Sequence, residues 1–346
     1  MADIEIWVEA RCGRIRLNRP TALNALNESM MAALGVALMA WETDSQIDLV
    51  LIDAAGDRAF CAGGDIAELY AQGRAGNFTH GQKFWRDEYR MNARIAAYPK
   101  PVVSLMQGFT MGGGVGVGCH ASHRIVCETS QIAMPECGIG LVPDIGGSFL
   151  LALGPGRLGE YLGTTGTRMG PDDAIYAGFA DHFVPQSDWP ALTSAVVAEG
   201  IAALPRFTQA APRGPLAQQQ PQIDAHFAGE SLGDILRSLR GDPGEFAQST
   251  LTALSRVSPL AASAAVEMQH RLGDSPRLLR ALALEYRYTF RAQEHGDFLE
   301  GIRAAIIDKD RKPHWLHAGI EAVPMVAIAN MLAPLGPEEW KWEGQA

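Results

Sequence analysis

Two acids, Glu136 and Asp144, stand in the stretch MPECGIGLVPDIGG, residues 134–147, which otherwise holds apolar residues, glycine and proline. Carboxylates with little around them to replace water are costly unless paired or neutralised. The stretch is therefore read for nucleophilic or acid/base chemistry. Two close carboxyl groups in an apolar pocket push at least one pKa upward, and such a pair can hold one proton between them near neutral pH. Gly138, Gly140 and Pro143 argue against one continuous helix across the interval, so a loop that turns back must bring the acids together. The alternative for Asp144 is an N-cap of the helix that IGGSFLLALG begins; for Glu136 it is a buried structural ion pair.

Two further stretches share a layout in which an apolar strand ends, small residues follow and a helix starts. In LVLIDAAGDRAFCAGGDIAELY, Gly63 and Gly64 precede Asp65; in PVVSLMQGFTMGGGVGVGCHA, Gly112, Gly113 and Gly114 take the corresponding place. Glycine lets a backbone N–H approach a ligand unobstructed, and the first N–H groups of a helix lack partners and carry the positive end of its dipole. Two such starts folded side by side would form an oxyanion hole, where losing one donor costs about 3 to 4 kcal/mol of barrier stabilisation. The alternative is that the glycines only permit tight helix packing.

The elements that must position these groups alternate. IEIWVEA and GRIRLN, about Gly13, suggest an antiparallel hairpin. ALNALNESMMAALGVALMAWETD has helical spacing, and IDLVLIDAAG and PKPVVSLMQG suit buried strands. Helices are expected near 66–72 and 81–98, and HRIVCET and SQIAMPE as strands. This order is that of an α/β fold whose loops collect at one edge of the sheets. Residues 205–222, rich in Pro, Gln and Ala, read as a linker, and the segments beyond it have helical periodicity. The division expected is thus a core over 1–205 and a mainly helical region over 206–346.

Composition excludes several classes. The net charge of -10, without a basic run, argues against a nucleic-acid partner. No apolar run reaches membrane-spanning length, and MADIEIWVEA is unlike a signal or transit peptide. Five cysteines, Cys12, Cys61, Cys119, Cys127 and Cys137, are odd in number and too sparse for a disulfide framework, which suits a reducing cytoplasm. Cys119, His120, His123 and Cys127 do not have a usual zinc spacing, and no metal is expected. Cys137 lacks a nearby catalytic His and reads as a small core residue. Dinucleotide, P-loop and nucleophile-elbow glycine motifs are absent.

AFCAGGDIAEL, GFTMGGGVGVG and MPECGIGLVPDIGG resemble, in order and spacing, the signature blocks of the enoyl-CoA hydratase/isomerase (crotonase) superfamily, over roughly residues 4–200. The resemblance implies a crotonase-like spiral of ββα units over 1–205 and acyl-CoA thioester substrates. It also implies an oxyanion hole at the N–H groups of Gly64 and Gly113, with the backbone of Ala62, Asp65 and Ile66 lining the adenine site. Asp65 equally fits an N-cap. No cofactor is implied, CoA being part of the substrate, and a homo-oligomer is possible in this superfamily.

Fold alone does not name the reaction. Hydratases resemble one another in carrying a glutamate soon after the triple glycine; here that position is Gly116, while Glu136 is retained and Asp144 stands where hydratases carry glycine. This departure is similar to the 3-hydroxyisobutyryl-CoA hydrolase branch of valine breakdown. DFLEGIRAAIIDKDRKPHW, 297–315, resembles that branch's tail, and SPLAASAAVEMQ loosely resembles its S-P-x-S block, with Ala262 in place of serine. The resemblance implies Glu136 as nucleophile or as base for water, and Asp144 at the substrate's 3-hydroxyl or positioning water. Two other readings are an enoyl-CoA hydratase or isomerase using Glu136 alone, and a non-catalytic acyl-CoA-binding protein.

Overall fold

The computed structural model describes residues 2–342. Its chain divides into two compact units that interleave in sequence. One comprises 1–64, 90–133 and 168–217, and the other 65–89, 134–167 and 218–346. The cuts differ from the contiguous 1–205 and 206–346 division expected from the linker composition.

Among the described residues, the first unit holds all nine strands. β1 (Ile4–Glu9) and β2 (Cys12–Leu17) form an antiparallel hairpin. Its turn is at Ala10 and Arg11, with Ala10 at φ 52°, rather than about Gly13, which lies in β2. β3 (Leu49–Ala54), β5 (Val102–Met106), β7 (His123–Val126) and β9 (His182–Phe183) continue the sheet in parallel, giving the order β1-β2-β3-β5-β7-β9. After β3, β5 and β7 the chain adds a short strand: β4 (Ala59–Cys61), β6 (Phe109–Met111) and β8 (Gln131–Ala133). These three pair in parallel as a second sheet. This repeated strand–strand progression is the expected spiral, and its α/β class is as read from the sequence.

Strands buried on both faces explain the unbroken apolar runs. Leu49, Leu51, Val103, Leu105 and Ile125 pack against Trp189, Leu192 and Val196 of the helix Trp189–Glu199, while Val50, Ile52 and Val102 face the other way and are also buried. The helix Glu28–Glu42 starts later than the apolar spacing suggested, because Asn27 caps it, accepting from the Met30 N–H at 2.9 Å.

The second unit is helical. The expected linker is partly helix, Leu216–His226, with Pro221 inside it. Pro259–Leu272 opens on Ser258, whose hydroxyl accepts from the Ala261 N–H at 3.1 Å and donates to Asp297 at 2.6 Å. A serine cap followed by proline at the first helical position is the physical content of the S-P pair in SPLAASAAVEMQ. Leu278–His295, eighteen residues long, carries Glu285, Tyr286 and Thr289, all fully buried. Among the described residues no helix is long and apolar enough to cross a membrane.

Candidate active site

The glycine junctions follow from strand register. β4 and β6 are parallel neighbours with Cys61 opposite Thr110, so Gly64 and Gly113, each three residues further on, leave the same end of adjacent strands. Gly113 opens the helix Gly113–Gly118 after Gly112, whose φ of 49° and ψ of -126° suit glycine alone. Gly114 is also obligatory, since a Cβ there would lie 2.1 Å from the Cys61 carbonyl oxygen. The Leu26 N–H bonds the Gly63 carbonyl at 2.9 Å and the Ala62 N–H bonds the Leu23 carbonyl at 3.0 Å. The N–H groups of Gly64 and Gly113 donate to no other described residue. At Gly116, the position to which the resemblance assigns a hydratase's first acid, a Cβ would lie 2.7 Å from the side chain of Asn92, which is fully buried. Asn92 occupies the room that a larger residue would need.

The acids belong to the helical unit. Glu136 begins a 3-10 turn, Glu136–Ile139, closed by Gly140 at φ 77°. The Leu141 N–H returns to the Glu136 carbonyl at 3.0 Å, so the chain reverses as its glycines implied. Glu136 is 5% exposed and neither carboxyl oxygen has a hydrogen-bond partner. Burial pushes it well above the ordinary carboxyl range, and the charge of Asp144, then those of Glu285 and Glu88, push the same way. The structural ion-pair reading of Glu136 thus finds no cation.

Asp144 is 4% exposed and accepts a hydrogen bond from the Tyr89 hydroxyl at 2.8 Å. Burial lifts it to about 7, with the Tyr89 bond pulling in the opposite direction. It is not the cap of the following helix, Gly147–Ala152. That position is Gly146 at φ 77°, and no side chain from the cap residue serves it. The buried helix start is satisfied instead by Glu285, which accepts from the N–H of Gly146 at 2.8 Å, from the N–H of Ser148 at 3.0 Å, and from the Ser148 hydroxyl.

Glu88, Tyr89 and Glu285 were not singled out from the sequence. Glu88 is 3% exposed, its Oε1 is without a partner, and burial, then Asp144, raises its carboxyl well above the ordinary range. Glu285 rises to about 8 through burial, against the pull of its Ser148 and Gly146 bonds. Four buried carboxyl groups thus influence one another, and no cation contributes to their shifts. Groups so arranged ionise as a set and keep protons near neutrality, which is what a proton-transfer site requires.

Of the expected adenine-site residues, Ala62 uses its N–H within the core unit, Asp65 precedes the helix Ile66–Arg74 without capping it through its side chain, and Ile66 is half-buried. None of the five cysteines is in a disulfide, and all are buried. Cys137 donates to the Gly163 carbonyl at 3.2 Å, and burial raises its thiol well above the usual range, as befits a core residue.

Comparison with known proteins places these features in a family context. The family model described as enoyl-CoA hydratase/isomerase matches residues 12–332. A 3-hydroxyisobutyryl-CoA hydrolase, mitochondrial, from Xenopus tropicalis is 39% identical over 97% of this chain and 90% of its own length. The protein of the same name from Gallus gallus is 35% identical over 98% and 91%. Among solved structures, one described as an enoyl-CoA hydratase from Rhodobacter sphaeroides 2.4.1 superposes with a TM-score of 0.96 at 58% identity, covering 99% of this chain and all of that one. A carnitinyl-CoA dehydratase from Mycobacterium thermoresistibile gives 0.94 at 40%, covering 99% of each.

Proposed function

The chain belongs to the enoyl-CoA hydratase/isomerase family, and on that premise we propose that it hydrolyses a short-chain 3-hydroxyacyl-CoA thioester, 3-hydroxyisobutyryl-CoA, to the hydroxy acid and CoA. The observation that carries this reading is near-full-length similarity, at 35–39% identity, to relatives that bear that hydrolase's name. In this reading the amides of Gly64 and Gly113 receive the thioester oxygen as it gains charge. Glu136 either attacks the carbonyl carbon, expelling the thiolate and leaving a mixed anhydride for water to cleave, or removes a proton from the water that attacks directly. Its unpartnered, buried carboxyl supports either role: held above the ordinary range, it is a stronger base than a solvated glutamate. Asp144, fixed by Tyr89, accepts the substrate's 3-hydroxyl or orients water.

A second reading, hydration or isomerisation of an enoyl thioester by Glu136 alone, is favoured by the description of the 58% identical structure. Gly116, backed by Asn92, weighs against hydration, since it supplies no second acid. The test gives the purified protein 3-hydroxyisobutyryl-CoA, 3-hydroxypropionyl-CoA and crotonyl-CoA, following free thiol and enoyl absorbance in parallel. Thiol release from the hydroxyacyl substrates, lost in Glu136→Gln, supports the hydrolase; enoyl turnover without thiol sinks it. Tight binding with no turnover returns the non-catalytic reading. We further propose that the reaction needs no cofactor beyond the CoA of the substrate. Five cysteines outside any disulfide support a reducing compartment such as the cytoplasm, although the relatives above are named as mitochondrial. Assembly as a homo-oligomer is part of the same proposal and is read by sedimentation.

A further inference from the structure

One face of the helix Leu278–His295 bears on Asp144 by two routes. Glu285 and Thr289 are four residues apart and so lie one above the other on that face. Thr289 stands 3.3 Å from the Tyr89 hydroxyl, which donates to Asp144 Oδ2. Glu285 reaches the other side of the Asp144 turn, where its two oxygens collect the Gly146 and Ser148 amides and the Ser148 hydroxyl. Between those anchors the backbone is strained: Ile145 holds φ 58° and Gly146 φ 77° in succession. A β-branched residue in the left-handed region is strained and persists only where its surroundings over-determine it. The Gly147 N–H closes the turn on the Asp144 carbonyl at 2.7 Å, so the residue that carries the carboxyl is tied directly to the helix start Glu285 holds.

We propose that Glu285 is a positioning residue for Asp144: by taking the place of the missing cap on Gly147–Ala152, it clamps the strained turn that aims the Asp144 carboxyl. The titratable groups facing this pair are Tyr89 and Glu88 from the helix Phe78–Ala96 and Glu136 from its 3-10 turn. All are acidic; the charge of Asp144 pushes Glu285 upward, and the charge of Glu285 does the same to Glu136 and Tyr89. The proposal goes deeper into the hydrolase reading and rests on it for the activity measurement alone.

The experiment compares wild type, Glu285→Gln and Glu285→Ala by thiol release across pH and by 13C titration of the Asp144 carboxyl, identified by its loss in Asp144→Asn. Glutamine keeps one acceptor for the turn and removes the charge; alanine removes both. Glu285→Gln is expected to strip the coupled upper step from the Asp144 titration and to let Glu136 ionise at lower pH, taking the rising limb of activity with it. Glu285→Ala should lower kcat on 3-hydroxyisobutyryl-CoA at least tenfold, with glutamine restoring part of it and KM changing less than kcat. If both variants fold and neither the titration nor kcat moves, or if activity falls only with the folded fraction at every pH, the proposal is overturned. Should Glu285→Ala not fold, Ser148→Ala, which withdraws one donor from Glu285, takes its place and must shift the Asp144 titration. If wild type releases no thiol the hydrolase reading fails, and the carboxyl titration still decides the role of Glu285.

Discussion

Replacing Asp144 by asparagine is expected to make the protein more stable and less active, with the stability gain appearing only as pH rises. Burial lifts the carboxyl from 3.8 to about 7. That is about three pH units at roughly 1.4 kcal/mol each, so ionising Asp144 in the native state costs on the order of 4 kcal/mol. The sign follows from proton binding. Between about pH 4 and pH 7 the unfolded chain has released the proton that the native state retains, so native stability falls through that window and is level above it. Asparagine has no proton to lose and escapes the fall. It keeps an acceptor for the Tyr89 hydroxyl, and exchanging a charge-assisted bond for a neutral one takes back about 1 kcal/mol. The net gain at about pH 8 is then on the order of 3 kcal/mol, or about 4 °C in Tm for a chain of this length. Relief of Glu136 and Glu285, both held above the ordinary range beside Asp144, adds in the same direction. Melting curves of both proteins at intervals between about pH 4 and pH 8, with thiol release on the same samples, measure this. A difference in Tm that is flat with pH, or a variant less stable at pH 8, would refute the account of Asp144 as an acid held against its own ionisation.

Glu136→Gln should lower kcat for thiol release by about 100- to 10,000-fold, the span of a lost general base, with folding checked by circular dichroism. Tyr89→Phe removes the bond that pulls the Asp144 pKa down, so the pH–rate limb governed by Asp144 should move to higher pH. Gly116→Ala forces a methyl group to within 2.7 Å of Asn92 and should destabilise by about 1 to 3 kcal/mol in denaturant melts. The paired change with Asn92→Gly should recover part of that loss.

What the sequence revealed was local. Glu136, Asp144, Gly64 and Gly113 each stand out against their immediate neighbours, and parallel strand register does the rest for the two glycines, since equal offsets from paired residues end at one edge. Glu88, Tyr89 and Glu285 were illegible for the opposite reason. FWRDEYRMN and ALEYRYTF read as ordinary amphipathic helix, in which an acid is normally solvated. Glu285 meets Gly146 and Ser148 across 139 and 137 residues of chain, a pairing no window of sequence contains. The N-cap alternative for Asp144 was reasonable on propensity and failed because an acid from elsewhere took that place. The hairpin turn was displaced for a related reason: Gly13 is needed inside β2, where a Cβ would lie 2.5 Å from the ring of Trp41.

The burial of all five thiols has a use at the bench. Cys12, Cys61, Cys119, Cys127 and Cys137 are each at most 1% exposed, and burial holds Cys12 and Cys119 near about 12. A disulfide dye that counts liberated CoA therefore meets no competing signal from the intact enzyme, because none of the five sulfurs is within its reach. Heated or denatured protein reveals five equivalents at once. The same colour reaction thus serves as a stopwatch for unfolding when substrate is left out, and a drifting blank in the hydrolysis assay identifies a variant that is opening rather than turning over.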